Sequence, residues 1–439
     1  MFTAFDVATI CDGKVIGFRD AFAEKIETDS RKINSGDLFV ALKGENFDGN
    51  DFAEKAFSCG AEICLLSREC AVPEGKAAVL VEDTGKALMK IAAHHRKEMG
   101  TKILAITGSV GKTTTKEMCA CALSEGFTVH KTSGNFNNEI GMPLTLLNLK
   151  KEHTAAVIEM GMSNFGELER LSKTCRPDVA LITNIGVSHI ENLKSQENIL
   201  KAKLEILSGL SKGGTLILNG DDPFLKTVKA EEFKILTYGF SEGCDIKGEI
   251  LSPNSVAVSG QKITLSVEGE HNLLNALGAM AAAAAFGIEP MKAAMGIEKF
   301  KTDERRQSIT KSPKGFYVIA DYYNASPQSV EAALKTLSLK EGRKIAVLGD
   351  MLELGGISEE SHKKSGFLAA ECGCDMLLTY GEQSKNTHNA AKDKIFSKHF
   401  DDKEKLSGFL LGEAREGDFI LIKGSRGMKM ETVYEKIMR

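Results

Sequence analysis

The 439-residue chain has no excess of either charge: 56 Lys and Arg face 60 Asp and Glu, a formal net of -4. Nothing global therefore draws it toward nucleic acid or an anionic membrane, and any anionic ligand must be held locally. It lacks a basic start followed by an apolar stretch; MFTAFDVATICDGK carries Asp6 and Asp12 instead, which predicts neither a secretion nor a transit signal. The softest stretch, AMAAAAAFGI, falls well short of the roughly 20 residues a bilayer span needs. These absences predict a cytoplasmic protein without membrane insertion. The ten cysteines then read as reduced thiols packed as small apolar residues. CAC at Cys119 and Cys121 sits on a predicted helix, where positions two apart face different ways, and CGC at Cys372 and Cys374 has no second pair at zinc spacing, so neither reads as a metal site. There is no repeat of solenoid period and no low-complexity segment.

What is present is alternation. The length predicts about three domains. From about residue 100, the apolar runs KILAIT, AAVIEMG, DVALITNIG and GTLILNG are separated by helical patterns such as FGELERLSKTC and SQENILKAKLEILSGL, the signature of a parallel α/β sheet wrapped by helices. After about residue 312 the alternation restarts with GFYVIADYYNASP, KIAVLGDMLELG, CDMLLTYG and DFILIKGSRG, a second and smaller α/β unit. Before residue 100, short strands, turns such as FDGN and one helix predict a separate ligand-specific unit. The boundaries are set at 1–99, 100–306 and 307–439.

ITGSVGKTTTKEM, residues 106–118, resembles a phosphate loop but is tighter than G-x-x-x-x-G-K-[ST]: the first glycine of that pattern would fall at Ile106. Gly108, Gly111, Lys112 and Thr113 instead form G-x-x-G-K-T between a predicted strand and a predicted helix. That context turns a helix N-terminus toward an anion, where the dipole and free N–H groups favour phosphate. A glycine turn alone would be ordinary punctuation; Gly-Lys-Thr-Thr at a strand-to-helix turn predicts nucleoside triphosphate binding.

Ligands of such sheets gather at the carboxyl ends of strands. Glu159 ends AAVIE, where a carboxylate is placed to share one Mg²⁺ with Thr113. His189 follows another strand, after Asn184 and Gly186, and Lys201 and Lys203 on the next helix bring positive side chains toward the same region. Taken singly, a strand-end carboxylate, a lone histidine and KAK on a helix are bland features; beside a phosphate loop they converge.

TGSVGKTTTKEM, GNFNNEIGMPLTLL, IEMGMS, TNIGVSHIENL and KAKLEI, in this order, resemble the ATP-dependent Mur ligases of peptidoglycan synthesis. The resemblance implies an amide-forming enzyme of cell-wall synthesis: a substrate carboxylate attacks the γ-phosphate of ATP, and an incoming amine opens the acyl phosphate. DYYNASP at 321–327, VLGDMLELG with His362 beyond it, TDSRKINSGDLFVALKGENFDG and LIKGSRGMKME resemble the branch whose substrates are UDP-MurNAc-tripeptide and D-Ala-D-Ala, and no D-N-P-R motif is present. The implied fold is a small α/β uridine-nucleotide-binding domain, a central P-loop parallel-sheet domain and a C-terminal Rossmann-like domain, taken as a monomer.

Residue by residue, the resemblance implies ATP contacts along Gly108, Ser109, Gly111, Lys112, Thr113 and Thr114. Thr113 and Glu159 would hold a first Mg²⁺, His189 a second, and Lys203, rather than Lys201, would become a carbamate orienting that second ion. Lys112, Lys203 and His189 are thereby the implied catalytic set. Asn272 and Asn275 in GEHNLLNAL match an adenine-pocket segment, with helix capping as the competing reading of Asn272. Arg306 matches a hinge arginine, although Arg305 replaces the glycine that precedes it in the motif. Asp321, Tyr323 and Asn324 would meet the nucleotide on domain closure. Ser30, Arg31 and the turn at 44–49, through Gly44, Phe47, Asp48 and Gly49, would hold the uridine nucleotide. Asp350, Lys423, Ser425 and Arg426 would line the dipeptide side, with His362 and Asp350 as candidate bases for the amine.

Such chemistry needs cations, because a carboxylate and ATP repel each other, and it needs a closing domain, because an acyl phosphate in an open site is lost to water. Two alternative readings of the sequence remain. One is another Mur-type or folylpolyglutamate-type ligase, against which DSR…GENFDG and YNASP argue. The other is a P-loop switch or transport ATPase, for which no N-K-x-D motif is found.

Overall fold

The computed structural model describes residues 2–44 and 46–439. The N-terminal unit is a five-stranded sheet in the order Lys14–Gly17, Ala77–Leu80, Ile63–Leu66, Asp37–Val40, Lys25–Glu27, parallel except for its first pair. Where one helix was expected here, three α-helices occur: Ala4–Cys11, Ala53–Ser58 and Thr84–Met99. Each of the two unforeseen ones had a readable cause. Thr3 and Asp6 form a reciprocal capping box that starts Ala4–Cys11. Asp83 caps Thr84–Met99 at one end and Gly100, with φ 64°, at the other. The long helix also docks this unit on the next: His95 bonds Leu149 O at 2.9 Å, and Arg96 donates to Cys175 O at 3.0 Å.

The central unit carries a nine-stranded sheet with Lys102–Thr107 between Val179–Ile182 and Ala155–Glu159. These strands are buried on both faces, which is why they read as continuous apolar runs. Leu104 and Ile106 face a core built by the helices Lys112–Leu123, Glu270–Phe286 and Pro290–Glu298; Ile103 and Ala105 face one built by Gly141–Leu147, Glu167–Cys175 and Gln196–Leu204. The alanine-rich stretch is thus a buried core helix, and no helix among the described residues is long and apolar enough to cross a membrane.

The central sheet is parallel as expected except at one edge. Ile246–Ser252, Ser255–Val258 and Gln261–Thr264 run antiparallel at one edge. Their connections are two residues long, too short for the crossover a parallel pair requires. Ser259 and Gly260 both take positive φ, 49° and 74°, as a type I′ hairpin turn requires at its two central residues.

The C-terminal unit is a six-stranded sheet in the order Ser308–Lys311, Tyr317–Asp321, Phe419–Lys423, Lys344–Gly349, Met376–Tyr380, Phe396–Phe400, parallel except for the first pair. The last strand in the chain enters the middle of the sheet, opposite Tyr317–Asp321. That insertion sets Asp321 directly across from Lys423.

Candidate active site

The phosphate loop is fixed by the turn that follows the neighbouring strand. Asn184 O accepts from Ser109 N at 3.1 Å, and the Asn184 side chain bonds Val110 N and Val110 O at 2.9 Å each. Thr183 Oγ1 donates to Val110 O at 2.6 Å, and Ser109 Oγ accepts from Gly186 N at 2.9 Å. Glycine is required at the loop's ends: with φ 149°, a Cβ on Gly108 would collide with Thr183 Oγ1, and with φ 85°, one on Gly111 would lie 2.8 Å from Asn275 Oδ1. Gly111 caps the helix Lys112–Leu123 without a side-chain bond, so its first-turn N–H groups remain available to an anion.

Lys112 curls back over its own loop, donating to Gly108 O at 2.7 Å. Burial pulls its pKa down, and the Glu159 carboxylate partly restores it. Glu159 itself is 2 % exposed. Its Oε1 accepts from Asn137 Nδ2 at 2.8 Å, while its Oε2 is buried with no hydrogen-bond donor. An ionised oxygen left this way is costly unless something else meets it, and a hard cation is suited to it. No group of three or more His, Cys, Asp or Glu among the described residues is placed to hold a metal alone. The donor set therefore fits a magnesium ion carried largely by phosphate and water oxygens, with Glu159 as its protein carboxylate.

Lys203 is buried, 2 % exposed, whereas Lys201 on the same helix is exposed. Burial, and then the nearby Lys112 charge, drive the Lys203 pKa well below the usual lysine value. His189, at φ 62°, begins a short helix, and its Nδ1 lies 2.6 Å from Glu353 Oε2, though off the line a hydrogen bond requires. Glu353 belongs to the C-terminal unit, which also reaches the central one through the Lys340–Glu268 ion pair at 2.7 Å.

Between the helix start and the hinge lies a cavity of about 200 Å³, bounded by Thr113, Thr114, Lys116, Phe300, Arg306 and Tyr323 among others. Arg306 stacks over the Tyr323 ring at 4.0 Å, and Arg305 pairs with Asp303. Asn272 and Asn275 sit behind the loop rather than on this cavity: Asn272 Nδ2 donates to Gln307 Oε1 and Glu268 O at 2.8 Å each, and Asn275 Oδ1 accepts from Thr115 Oγ1 at 3.1 Å.

In the C-terminal unit, Lys423 Nζ donates to Asp321 Oδ2 at 2.7 Å and Asn324 O at 2.9 Å. Residues assigned to two different substrates are therefore one network. Ser425 joins it, accepting from Leu352 N at 2.9 Å and donating to Ala325 O. Arg426 stands apart, exposed and paired with Glu431 at 3.0 Å. The two candidate bases need correction. Asp350 Oδ1 accepts from Ser384 N and Oγ at 2.7 and 2.6 Å, and Oδ2 from Gln383 N at 3.2 Å. His362 accepts from Met351 N at 3.0 Å and donates to Ser358 O at 2.8 Å. Both side chains are buried and engaged in holding the loop after Lys344–Gly349.

The uridine-side candidates belong to the N-terminal unit, with local partners. Arg31 is exposed and bidentate to Asp29, at 2.8 Å through each nitrogen. Its guanidinium holds the Asp29 carboxyl well below the usual range. Ser30 is half-buried beside it. Gly44 N donates to Phe47 O at 2.9 Å, Phe47 is exposed, Asp48 accepts from Asn50, and Gly49 is buried against Leu42 O. Glu45, inside this turn, lies outside the described residues.

One residue of this site escaped the sequence reading. Lys116, one helical turn beyond Lys112, is 1 % exposed and approaches Glu159 at Oε2, the oxygen that Asn137 does not bond. Its spacing of four from Lys112 was the available signal.

Three family models match in chain order: the Mur ligase family catalytic domain over 23–96, the Mur ligase middle domain over 106–283, and the Mur ligase glutamate ligase domain over 304–426. The UDP-N-acetylmuramoyl-tripeptide–D-alanyl-D-alanine ligase of Bacillus subtilis (strain 168) is 41% identical, covering 94% of this chain and 93% of its own. The crystal structure of MurF from Acinetobacter baumannii superposes with a TM-score of 0.92 at 32% identity, over 100% of this chain and 98% of that one. MurF from Thermotoga maritima in complex with ADP gives 0.85 at 29%, over 96% and 98%. Matched from the N-terminal sheet through the phosphate loop to the last strand, the chain belongs to the Mur ligase family.

Proposed function

We propose that this chain is the ATP-dependent ligase that joins D-Ala-D-Ala to UDP-MurNAc-tripeptide, giving the pentapeptide, ADP and phosphate. Near full-length similarity to ligases of that name supports the reaction. The observation that carries the chemistry is the buried oxygen of Glu159 that faces the phosphate-loop helix without a hydrogen-bond donor. The units 1–99, 100–306 and 307–439 then hold the uridine nucleotide, ATP, and the incoming dipeptide respectively.

The terminal carboxylate of the tripeptide attacks the γ-phosphorus, and ADP leaves. The neutral amine of D-Ala-D-Ala next attacks the acyl carbon, the C–O bond breaks, and phosphate departs with one oxygen that began in the carboxylate. Lys112 and the first-turn N–H groups of Lys112–Leu123 orient and neutralise the phosphates. Thr113 and Glu159 would hold one Mg²⁺ and His189 a second, and these would supply charge neutralisation between the two anionic reactants. Lys203, whose pKa burial lowers, adds to CO₂ through its free amine and loses a proton, becoming a carbamate that would help orient the second ion. Arg306 and Tyr323 frame the nucleotide, with Asn272 and Asn275 bracing the loop behind it. Ser30, Arg31, Gly44, Phe47, Asp48 and Gly49 hold the uridine nucleotide, and the Asp321–Lys423 network, with Asn324 and Ser425, sets the closing face.

Tripeptide labelled with ¹⁸O in its terminal carboxylate tests this route. One labelled oxygen is expected in each phosphate released with amide formation. Phosphate free of label would contradict an acyl-phosphate path.

A further inference from the structure

Lys112 and Lys116 stand one turn apart on the helix Lys112–Leu123, but their ammonium groups go different ways. Lys112 returns to the loop at Gly108 O. Lys116 runs inward, donating to Thr132 O at 2.8 Å, with Glu117 Oε1 at 3.0 Å and Glu159 Oε2 at 3.9 Å. Glu117 is shared with Lys131 at the surface, whereas Glu159 Oε2 has no hydrogen-bond donor. At 3.9 Å the ammonium is close enough to answer the carboxylate's charge and too far to occupy its oxygen with a hydrogen bond. Thr132 fixes the spacing from both sides, because its carbonyl holds Lys116 while its Oγ1 accepts from Glu159 N at 2.9 Å.

Resting on the reading of Glu159 as a magnesium carboxylate, we propose that Lys116 is the internal counter-ion of Glu159, a positioning residue that makes metal binding conditional on nucleotide. A free divalent cation approaching Glu159 Oε2 meets the fixed positive charge of Lys116, with Lys112 nearby. A cation arriving with phosphates brings the negative charge that offsets both lysines. The oxygen stays open, but only to a metal already carried by its anionic partner. In this way the nucleotide-free site is kept from filling with stray divalent ions.

The test is a titration of nucleotide-free, full-length protein with Mn²⁺, following the free ion by electron paramagnetic resonance. Lys116→Gln, whose amide can still donate to Thr132 O, is expected to tighten Mn²⁺ binding about tenfold or more. Lys116→Met provides a second neutral variant and should behave alike, Lys116→Arg should stay near wild type, and adding Glu159→Gln should remove the gain. Circular dichroism establishes which of the neutral variants is folded. Unchanged or weaker Mn²⁺ binding in a folded neutral variant, or a gain that survives Glu159→Gln, would overturn the proposal. No muramoyl nucleotide is present in these titrations, so their failure leaves the amide-forming reaction standing. Loss of that reaction with the Mn²⁺ shifts intact would fall on the substrate assignment instead.

Discussion

The central site and the N-terminal turn both carry cationic side chains, but they keep those cations in different states. Lys116 and Lys203 are buried and Lys112 is half-buried, and burial is the leading cause of the lowered pKa of Lys112 and of Lys203. Arg31 stands in solvent, its side chain 79% exposed, and rests on Asp29. The difference teaches where binding energy is committed. In the central site the electrostatics are set before any ligand arrives, which suits groups that must meet charge developing in a transition state. At Arg31 the pairing is exposed and contributes little to the fold, so it can be exchanged for a ligand's oxygens at small expense.

Substitutions can break this contrast, beginning with the strongest. Lys112→Ala should lower kcat by at least about a hundredfold, the scale for losing a preorganised charge partner of the reacting group, with its circular dichroism spectrum retained. Unchanged turnover would make the loop structural. Lys203→Ala should also remove most activity, and short-chain carboxylic acids should restore part of it by supplying the missing carboxylate. Full activity without rescue would eliminate the carbamate. Arg31→Ala should raise KM for the uridine substrate about tenfold, the worth of one charge-assisted hydrogen bond, while the KM for ATP and the melting temperature stay nearly constant. Equal changes in both KM values would place Arg31 in the central site's electrostatics.

The smallest effect sharpens the same contrast through pH. Burial is the leading cause of a lowered pKa at His95, His130, His271 and His362. Each folded-state pKa lies below the unfolded value near 6.5, so the unfolded chain binds more protons between the two. The stability these neutral rings contribute is therefore complete above about pH 6.5 and is lost as pH falls through their folded pKa values, by at most about 1.4 kcal/mol per pH unit for each ring. Melting curves from pH 7.5 to 5 should show the decline. In His362→Asn the slope should be shallower; an identical slope would remove His362 from the account.

Strand-to-helix grammar made the central unit legible. Apolar runs ending in Gly108, Glu159 and Asn184 mark the carboxyl edge of a buried sheet, whereas Lys203 separates from Lys201 by the family resemblance, and the helix buries the first and exposes the second. Depth was harder to read. Nothing in KTTTKE says that Lys116 is buried, since that depends on Glu159 and Thr132 arriving from other strands. Asp350 failed as a candidate base for a related reason: a carboxylate at a strand end looks alike in sequence whether it faces a ligand or caps the Ser384 turn. The mixed edge of the central sheet was visible in principle in the Ser259-Gly260 pair. The meeting of Asp321 with Lys423 was not, because it follows from the last strand entering the middle of its sheet.

The most direct measurement incubates the purified chain with ATP, Mg²⁺, UDP-MurNAc-tripeptide and D-Ala-D-Ala, reading phosphate and the mass of the uridine product, with each substrate omitted in turn. UDP-MurNAc-pentapeptide is expected only when all three substrates are present, in step with phosphate. Phosphate release that ignores the muramoyl nucleotide, with no amide product, would contradict it.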